Sequence, residues 1–148
     1  MVPYRLGYVV AKKGVCEDLL KAQKATVTMV SPYVQKAGIA ALTGPQDFVS
    51  SRLNKYQERR DRCVSLLRKN GIRVQEPEGA FYLFIKMPEK ISDAFEFVLQ
   101  FLERENIALF PGSIFGKKWE SYVRISFATE DESLYYALER FRQAYSSI

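Results

Sequence analysis

The sequence predicts an α+β fold in which helices pack against one small, largely antiparallel sheet. Two observations carry this prediction. From residue 45 onward the hydrophobic pattern switches between helical and extended periods, in the order helix, two strands, helix, strand, strand and helix. The chain has 148 residues, of which 47% are hydrophobic and 26% charged, so it can bury a core without a disulfide framework or a structural metal.

The first 44 residues are predicted to form one strand and two helices. Residues 6–11 (LGYVVA) are an almost continuous apolar run, which indicates a strand buried on both faces of a sheet. Residues 12–26 and 33–42 have helical spacing, and Pro32 suits the first turn of the second helix. The strand has no predicted partner within this stretch.

A long helix is predicted from Pro45 to Asn70. Thr43 and Gln46 have the spacing of a capping box at its start, and Gly71 suits the left-handed conformation that ends many helices. Its apolar residues share one stripe of the helix surface: Phe48, Val49, Leu53, Tyr56, Val64 and Leu67.

After this helix the apolar pattern alternates. We expect strands over residues 72–76 and 80–87, joined by a hairpin-like turn at residues 77–79 (PEG). Each strand would place every second side chain on the core face.

The remaining elements are a helix, two strands and a last helix. Ser92 is the predicted cap of the first helix, which ends near Asn106. The strands are predicted over residues 107–110 and 122–128. Thr129 begins a T-x-x-E capping box for the final helix.

Composition excludes several kinds of chemistry. The chain contains no histidine, which excludes histidine triads, histidine-ligated zinc and imidazole acid–base catalysis by its own residues. Cys16 and Cys63 are expected to be reduced thiols because neither belongs to a metal-binding or redox motif. No signal peptide and no apolar stretch of membrane-spanning length is recognisable, so we expect a cytoplasmic protein without membrane contacts.

The net charge of +5 does not by itself indicate a nucleic-acid partner. The densest basic run, residues 59–62 (RRDR), contains an aspartate and is preceded by Glu58, a pattern typical of a solvated helix face. An RNA-binding strand would carry a basic residue before its glycine, whereas Glu78 precedes Gly79 here. We therefore expect no nucleic-acid partner.

Three segments contain residues that are costly to bury unless they are used: 3–8 (PYRLGY), 110–116 (FPGSIFG) and 122–128 (YVRISFA). Arg124 interrupts an apolar strand, so its guanidinium must be paired or must face a cleft. Its planar fork suits a carboxylate or phosphate in bidentate geometry. A structural salt bridge to one of the chain's own carboxylates is the alternative.

With residues 76–84 (EPEGAFYLF), these segments closely resemble the C-terminal part of pyridoxal-phosphate-dependent aminotransferases of the aspartate aminotransferase superfamily, fold type I, class I/II. The resemblance implies a small C-terminal domain over residues 45–148, preceded at residues 1–44 by the end of the large cofactor-binding α/β domain. It also implies amino-group transfer between an amino acid and a 2-oxo acid, pyridoxal phosphate as cofactor and a homo-oligomer.

The same resemblance implies two site residues. Arg5 matches the arginine that binds the cofactor phosphate, and Arg124 matches the arginine that binds the substrate α-carboxylate. Phe81, Tyr82 and the loop 111–113 could line the site or equally belong to the core.

No catalytic residue is assigned within the chain. The family's Schiff-base lysine lies in an S-x-S-K segment upstream of the phosphate-binding arginine, and no lysine precedes Arg5. The resemblance therefore implies a fragment that is inactive alone, without covalently bound cofactor. A fold type I lyase or decarboxylase fragment is the alternative, and a non-enzymatic α+β binding module is a weaker one.

Overall fold

The computed structural model describes residues 2–148, in two compact units that divide between Ser50 and Ser51. The described residues form five α-helices and one three-stranded antiparallel sheet, which confirms the predicted α+β class. The domain boundary expected between residues 44 and 45 stays a prediction. No helix among residues 2–148 is both long and apolar enough to cross a membrane.

The first unit contains helices α1 (Lys13–Thr26) and α2 (Pro32–Thr43), as predicted, after a short 3₁₀ helix (Val2–Tyr4). The predicted strand over residues 6–11 is wrong: the segment has no regular structure and is largely exposed. A strand buried on both faces takes its hydrogen bonds and its cover from neighbouring strands. None of the described residues pairs with this segment.

Helix α3 (Asp47–Lys69) begins two residues later than predicted. The predicted capping box is wrong, because the Thr43 hydroxyl donates to the Ile39 carbonyl one turn earlier and the Gln46 amide donates to preceding carbonyl oxygens. Glycine ends the helix as predicted, since Gly71 adopts the left-handed conformation with φ 76°.

The sheet consists of β1 (Tyr82–Lys86), β2 (Phe110–Pro111) and β3 (Tyr122–Ser126), in the order β1-β3-β2. All pairs are antiparallel, as expected. The predicted strand 72–76 is reduced to one bridge between Val74 and Ile85.

The Arg68 guanidinium explains part of this difference. It donates to the Val74 carbonyl oxygen at 3.1 and 3.3 Å and so occupies an acceptor that a longer ladder could use. Ala80, just before β1, adopts a left-handed φ of 59°, which turns the chain out of extended geometry.

Helices α4 (Ala94–Glu105) and α5 (Asp131–Ser146) complete the second unit. Both predicted caps are wrong. The side chain of Asp93, not Ser92, accepts from the Phe95 N–H at 2.8 Å, and α5 begins after Glu130 without a side-chain cap. Asn106 ends α4 as predicted, in the left-handed conformation.

The sheet is covered by helices on one face. Leu83 and Ile85 of β1 and Val123 and Ile125 of β3 are buried in a core that also contains apolar residues of α3, α4 and α5. The intervening residues of both strands are half-buried or exposed. This second face, not the core face, carries Arg124.

Candidate anion-binding site

Arg124 lies in the middle of β3, the central strand. Its cross-strand neighbours are Phe84 on β1 and Phe110 on β2. Its Cζ atom is 4.2 Å from the ring centroid of Tyr82, 4.7 Å from that of Phe110 and 4.5 Å from that of Phe115. Three aromatic rings therefore surround one guanidinium.

The Arg124 guanidinium has no partner of opposite charge. It makes no hydrogen bond and no ion pair with any residue in the described part of the chain, and its Nε is buried without an acceptor. Other arginines do pair with carboxylates: Arg59 with Asp131, Arg60 with Asp61, Arg68 with Glu76, Arg140 with Glu105 and Arg142 with Glu139. The alternative of a structural salt bridge at Arg124 is thus not found among residues 2–148.

An unsatisfied buried donor costs about 1–3 kcal/mol, a cost that the three cation–π contacts offset in part. Nε is the one side-chain nitrogen or oxygen among residues 2–148 that is both fully buried and without a partner. The two terminal nitrogens of Arg124, which also make no hydrogen bond, are therefore not fully buried. The guanidinium can therefore donate a forked pair of hydrogen bonds to an incoming carboxylate or phosphate.

A tight loop carries Phe115 to Arg124. β2 ends at Pro111, residues 112–115 form a 3₁₀ helix, and a second one, Lys117–Trp119, follows after Gly116. A Cβ atom on Gly112 would collide with the Trp119 carbonyl oxygen and would lie 2.9 Å from the backbone oxygen of Tyr122. Glycine is therefore needed where this loop meets β3.

Further aromatic residues pack against the rings around Arg124. Phe84 stacks on Tyr122 with 5.2 Å between ring centroids and an interplanar angle of 15°. Its ring also makes edge contacts with Trp119 at 5.1 Å and with Phe115 at 6.0 Å. This packing links the open face of the sheet to the loop that carries Phe115.

An open cleft of about 910 Å³ lies next to these aromatic residues. It is bounded by side chains of the open sheet face and by residues 71–78, and Arg124 does not line it. Its charged lining residues are of both signs: Arg68, Arg73, Lys86, Glu76 and Glu78.

Arg5 belongs to the first unit. It is exposed, adopts a left-handed φ of 51° and makes no hydrogen bond or ion pair with any of residues 2–148. The next residue, Leu6, packs on α2 where Gly38 leaves room, because a Cβ on Gly38 would collide with the Leu6 side chain. The chain is thus held one residue after Arg5, and the guanidinium is free to meet an anion.

Sequence reasoning did not identify Phe110 and Phe115 as contacts of Arg124. The signal was present, since both residues flank the PGSI loop as aromatics. The sequence does not reveal the register that places Phe110 opposite Arg124, nor the 3₁₀ turn that brings Phe115 to the guanidinium. No cluster of residues able to hold a metal ion occurs among residues 2–148.

The sequence matches the family model of class I and II aminotransferases over residues 1–141. It is 37% identical to an aspartate aminotransferase of Pyrococcus horikoshii over 97% of the chain, and 33% identical to an LL-diaminopimelate aminotransferase of Halothermothrix orenii, also over 97%. The chain spans 38% and 37% of the length of these two curated relatives.

Solved structures give the same result. An aromatic aminotransferase from Pyrococcus horikoshii superposes with a TM-score of 0.89 and 32% identity, over 99% of this chain and 40% of the other. An aspartate aminotransferase from Thermotoga maritima superposes with a TM-score of 0.84 and 34% identity, over 97% of this chain and 36% of the other.

Proposed function

Because the chain belongs to the class I and II aminotransferases, we propose that it supplies the C-terminal part of an enzyme that transfers an amino group between an amino acid and a 2-oxo acid. The proposal assigns residues 45–148 to the small domain of that enzyme and residues 1–44 to the end of its large domain. We also propose that the complete enzyme is a homo-oligomer.

The observation that carries the proposal is the unpaired guanidinium of Arg124. In this proposal its terminal nitrogens donate two hydrogen bonds to the α-carboxylate of the substrate. Both amino acid and 2-oxo acid carry that carboxylate, so one arginine serves both halves of the reaction. The surrounding rings restrict water around the ion pair, which strengthens it.

Arg5 is proposed to bind the phosphate of pyridoxal phosphate. Its exposure and its lack of an internal carboxylate fit this role. The cofactor, when bound, supplies an electron sink for the substrate carbon that loses a proton. The first lysine of the sequence is Lys12, after Arg5, so the proposal places the reactive lysine outside these 148 residues.

The test is substitution of Arg124 in the complete enzyme. We expect Arg124→Ala to lower kcat/KM by about 30-fold to 1000-fold, because a charge-assisted bidentate pair is lost. Arg124→Lys should restore only part of the activity, since an ammonium group cannot form the fork. Arg142→Lys is the matched control, because Arg142 pairs with Glu139 on the same helix.

A change of less than about twofold in kcat/KM for Arg124→Ala would contradict the proposal. A second measurement concerns the 148-residue chain by itself. Titration with pyridoxal phosphate followed by borohydride reduction should leave no stoichiometric covalent adduct. Such an adduct would contradict the placement of the reactive lysine outside the chain.

A further inference from the structure

We propose that Phe115, with Tyr82 and Phe110, is a positioning residue that holds the Arg124 guanidinium ready for a carboxylate. This inference rests on the proposed function, because it concerns how the substrate-binding arginine is held. We call the three rings the aromatic box. Each comes from a different element: β1, β2 and the 3₁₀ helix of residues 112–115.

The aromatic box restrains the Arg124 guanidinium in the way that a carboxylate of the same chain otherwise would. A carboxylate would fix the arginine as well, but it would occupy the N–H donors that the ligand needs and would have to be displaced. Ring faces attract the cation without accepting those hydrogen bonds in the plane of the guanidinium. With Cζ between 4.2 and 4.7 Å from three centroids, Arg124 is restrained while its terminal nitrogens stay available.

Phe115 is the member that can be changed without altering the sheet. Tyr82 and Phe110 are strand residues, whereas Phe115 ends a 3₁₀ helix and is 42% exposed. Gly116 follows in a conformation with φ 119°, which favours glycine, and its N–H bonds to the Ser113 carbonyl at 3.1 Å. This turn fixes the direction in which Phe115 leaves the backbone.

The experiment uses the ¹⁵N-labelled 148-residue chain and the NMR signal of the Arg124 Nε–H, assigned by its loss in Arg124→Lys. In the wild type we expect a ring-current-shifted signal that exchanges slowly with water. Phe115→Leu should move the signal toward that of free arginine and accelerate exchange, and Phe115→Tyr should preserve both properties. Phe95→Leu is the matched control, because Phe95 is an aromatic of similar exposure on α4 that does not contact Arg124.

The same samples are titrated with pyruvate at constant ionic strength, with methyl pyruvate as the uncharged control. We expect pyruvate alone to shift the Arg124 signal, and Phe115→Leu to weaken its binding by about threefold to tenfold, the range of one cation–π contact. Phe115→Tyr should restore the affinity. If Phe115→Leu does not fold, Phe115→Met serves as the second variant with the same expected changes.

The outcomes separate the two proposals. If pyruvate does not affect Arg124 in the wild type, the proposed carboxylate binding fails, and the shift and exchange of Nε–H still decide whether the box restrains the arginine. If the wild type binds pyruvate and Phe115→Leu binds it equally well with an unchanged Nε–H signal, the aromatic box proposal is overturned.

Discussion

Arg59 and Asp131 form an ion pair that joins the middle of α3 to the first residue of α5. Arg59 is only 9% exposed, and its Nε donates to the Asp131 carboxylate. Asp131 also lies where the positive end of the α5 dipole favours a negative charge. This arginine is therefore compensated from within the fold, unlike Arg124.

We expect Asp131→Asn to lower the free energy of unfolding by about 1–3 kcal/mol, because it leaves a buried cation without a counter-charge. Urea titration followed by circular dichroism measures the change. Asp18→Asn is the control, since Asp18 pairs with Lys21 on an exposed helix surface where such pairs contribute at most about 1 kcal/mol. Equal effects of the two substitutions would contradict the structural role of the Arg59 pair.

We expect the buried thiol of Cys63 to lower the stability of the fold at high pH. It is fully buried, and burial raises the pKa of its thiol from 9.0 to about 11. As the pH rises above 9, the unfolded chain releases this proton before the folded chain does, so unfolding becomes easier between pH 9 and 11. The stability difference between wild type and Cys63→Ala should therefore change in favour of Cys63→Ala over this range.

The free energy of unfolding is measured for both proteins at several pH values. Because all other titrating groups are common to wild type and Cys63→Ala, their contributions cancel in the difference. Thiol labelling gives an independent check. In the native protein at pH 8, the half-buried Cys16 should react before Cys63. Rapid native-state labelling of Cys63 would be inconsistent with its burial.

We expect position 112 to tolerate no side chain. Gly112→Ala should destabilise the second unit by about 1–3 kcal/mol, because its Cβ would meet backbone atoms of residues 119 and 122 that cannot move like a side-chain end. It should also shift the Arg124 Nε–H signal, since the loop carries Phe115. Gly79→Ala is the control, as its added Cβ would have no neighbour within 4 Å. Indistinguishable unfolding curves for the two variants would refute the prediction.

We expect the 148-residue chain to self-associate through the exposed apolar surface of its first unit. Many of its large apolar side chains are exposed, among them Tyr8, Val10, Leu20, Met29, Ile39 and Leu42. Such surfaces are aggregation hazards unless another molecule covers them. We expect a species larger than the 17.1 kDa monomer in size exclusion with light scattering at micromolar concentration.

Deletion of residues 1–44 provides the control for self-association. The cut precedes α3, and residues 45–148 should remain folded and become monomeric. A monomeric 148-residue chain with protected amides over residues 6–11 would contradict both the predicted association and its assigned cause.

The elements that the sequence predicted well are those with strong local signals. The apolar stripe and Gly71 located α3 and its end, and the alternating pattern located β1 and β3. N-terminal caps were predicted poorly: α5 has no side-chain cap, and for α4 the spacing alone does not choose between two adjacent candidates. Asp93 instead of Ser92 is one example.

Other errors came from contacts between distant residues. The segment 6–11 has the composition of a buried strand, but composition cannot supply the neighbouring strands that such a strand requires. At the candidate site, the sequence identified Arg124 as a costly residue in an apolar strand. That its neighbours would be three rings and not a carboxylate depends on the pairing of the three strands and on the 3₁₀ helix that carries Phe115, which only the tertiary structure provides.

Because helices cover only one face of the sheet, alternate residues of the same strand are under different evolutionary constraints. On β1 and β3 the odd-numbered residues 83, 85, 123 and 125 fill the core, while the intervening even-numbered residues face away from it. A substitution at an even-numbered position therefore leaves the packing of this core in place, whereas one at an odd-numbered position disturbs it. Side chains on this face can thus change during evolution without new solutions to the packing of the core.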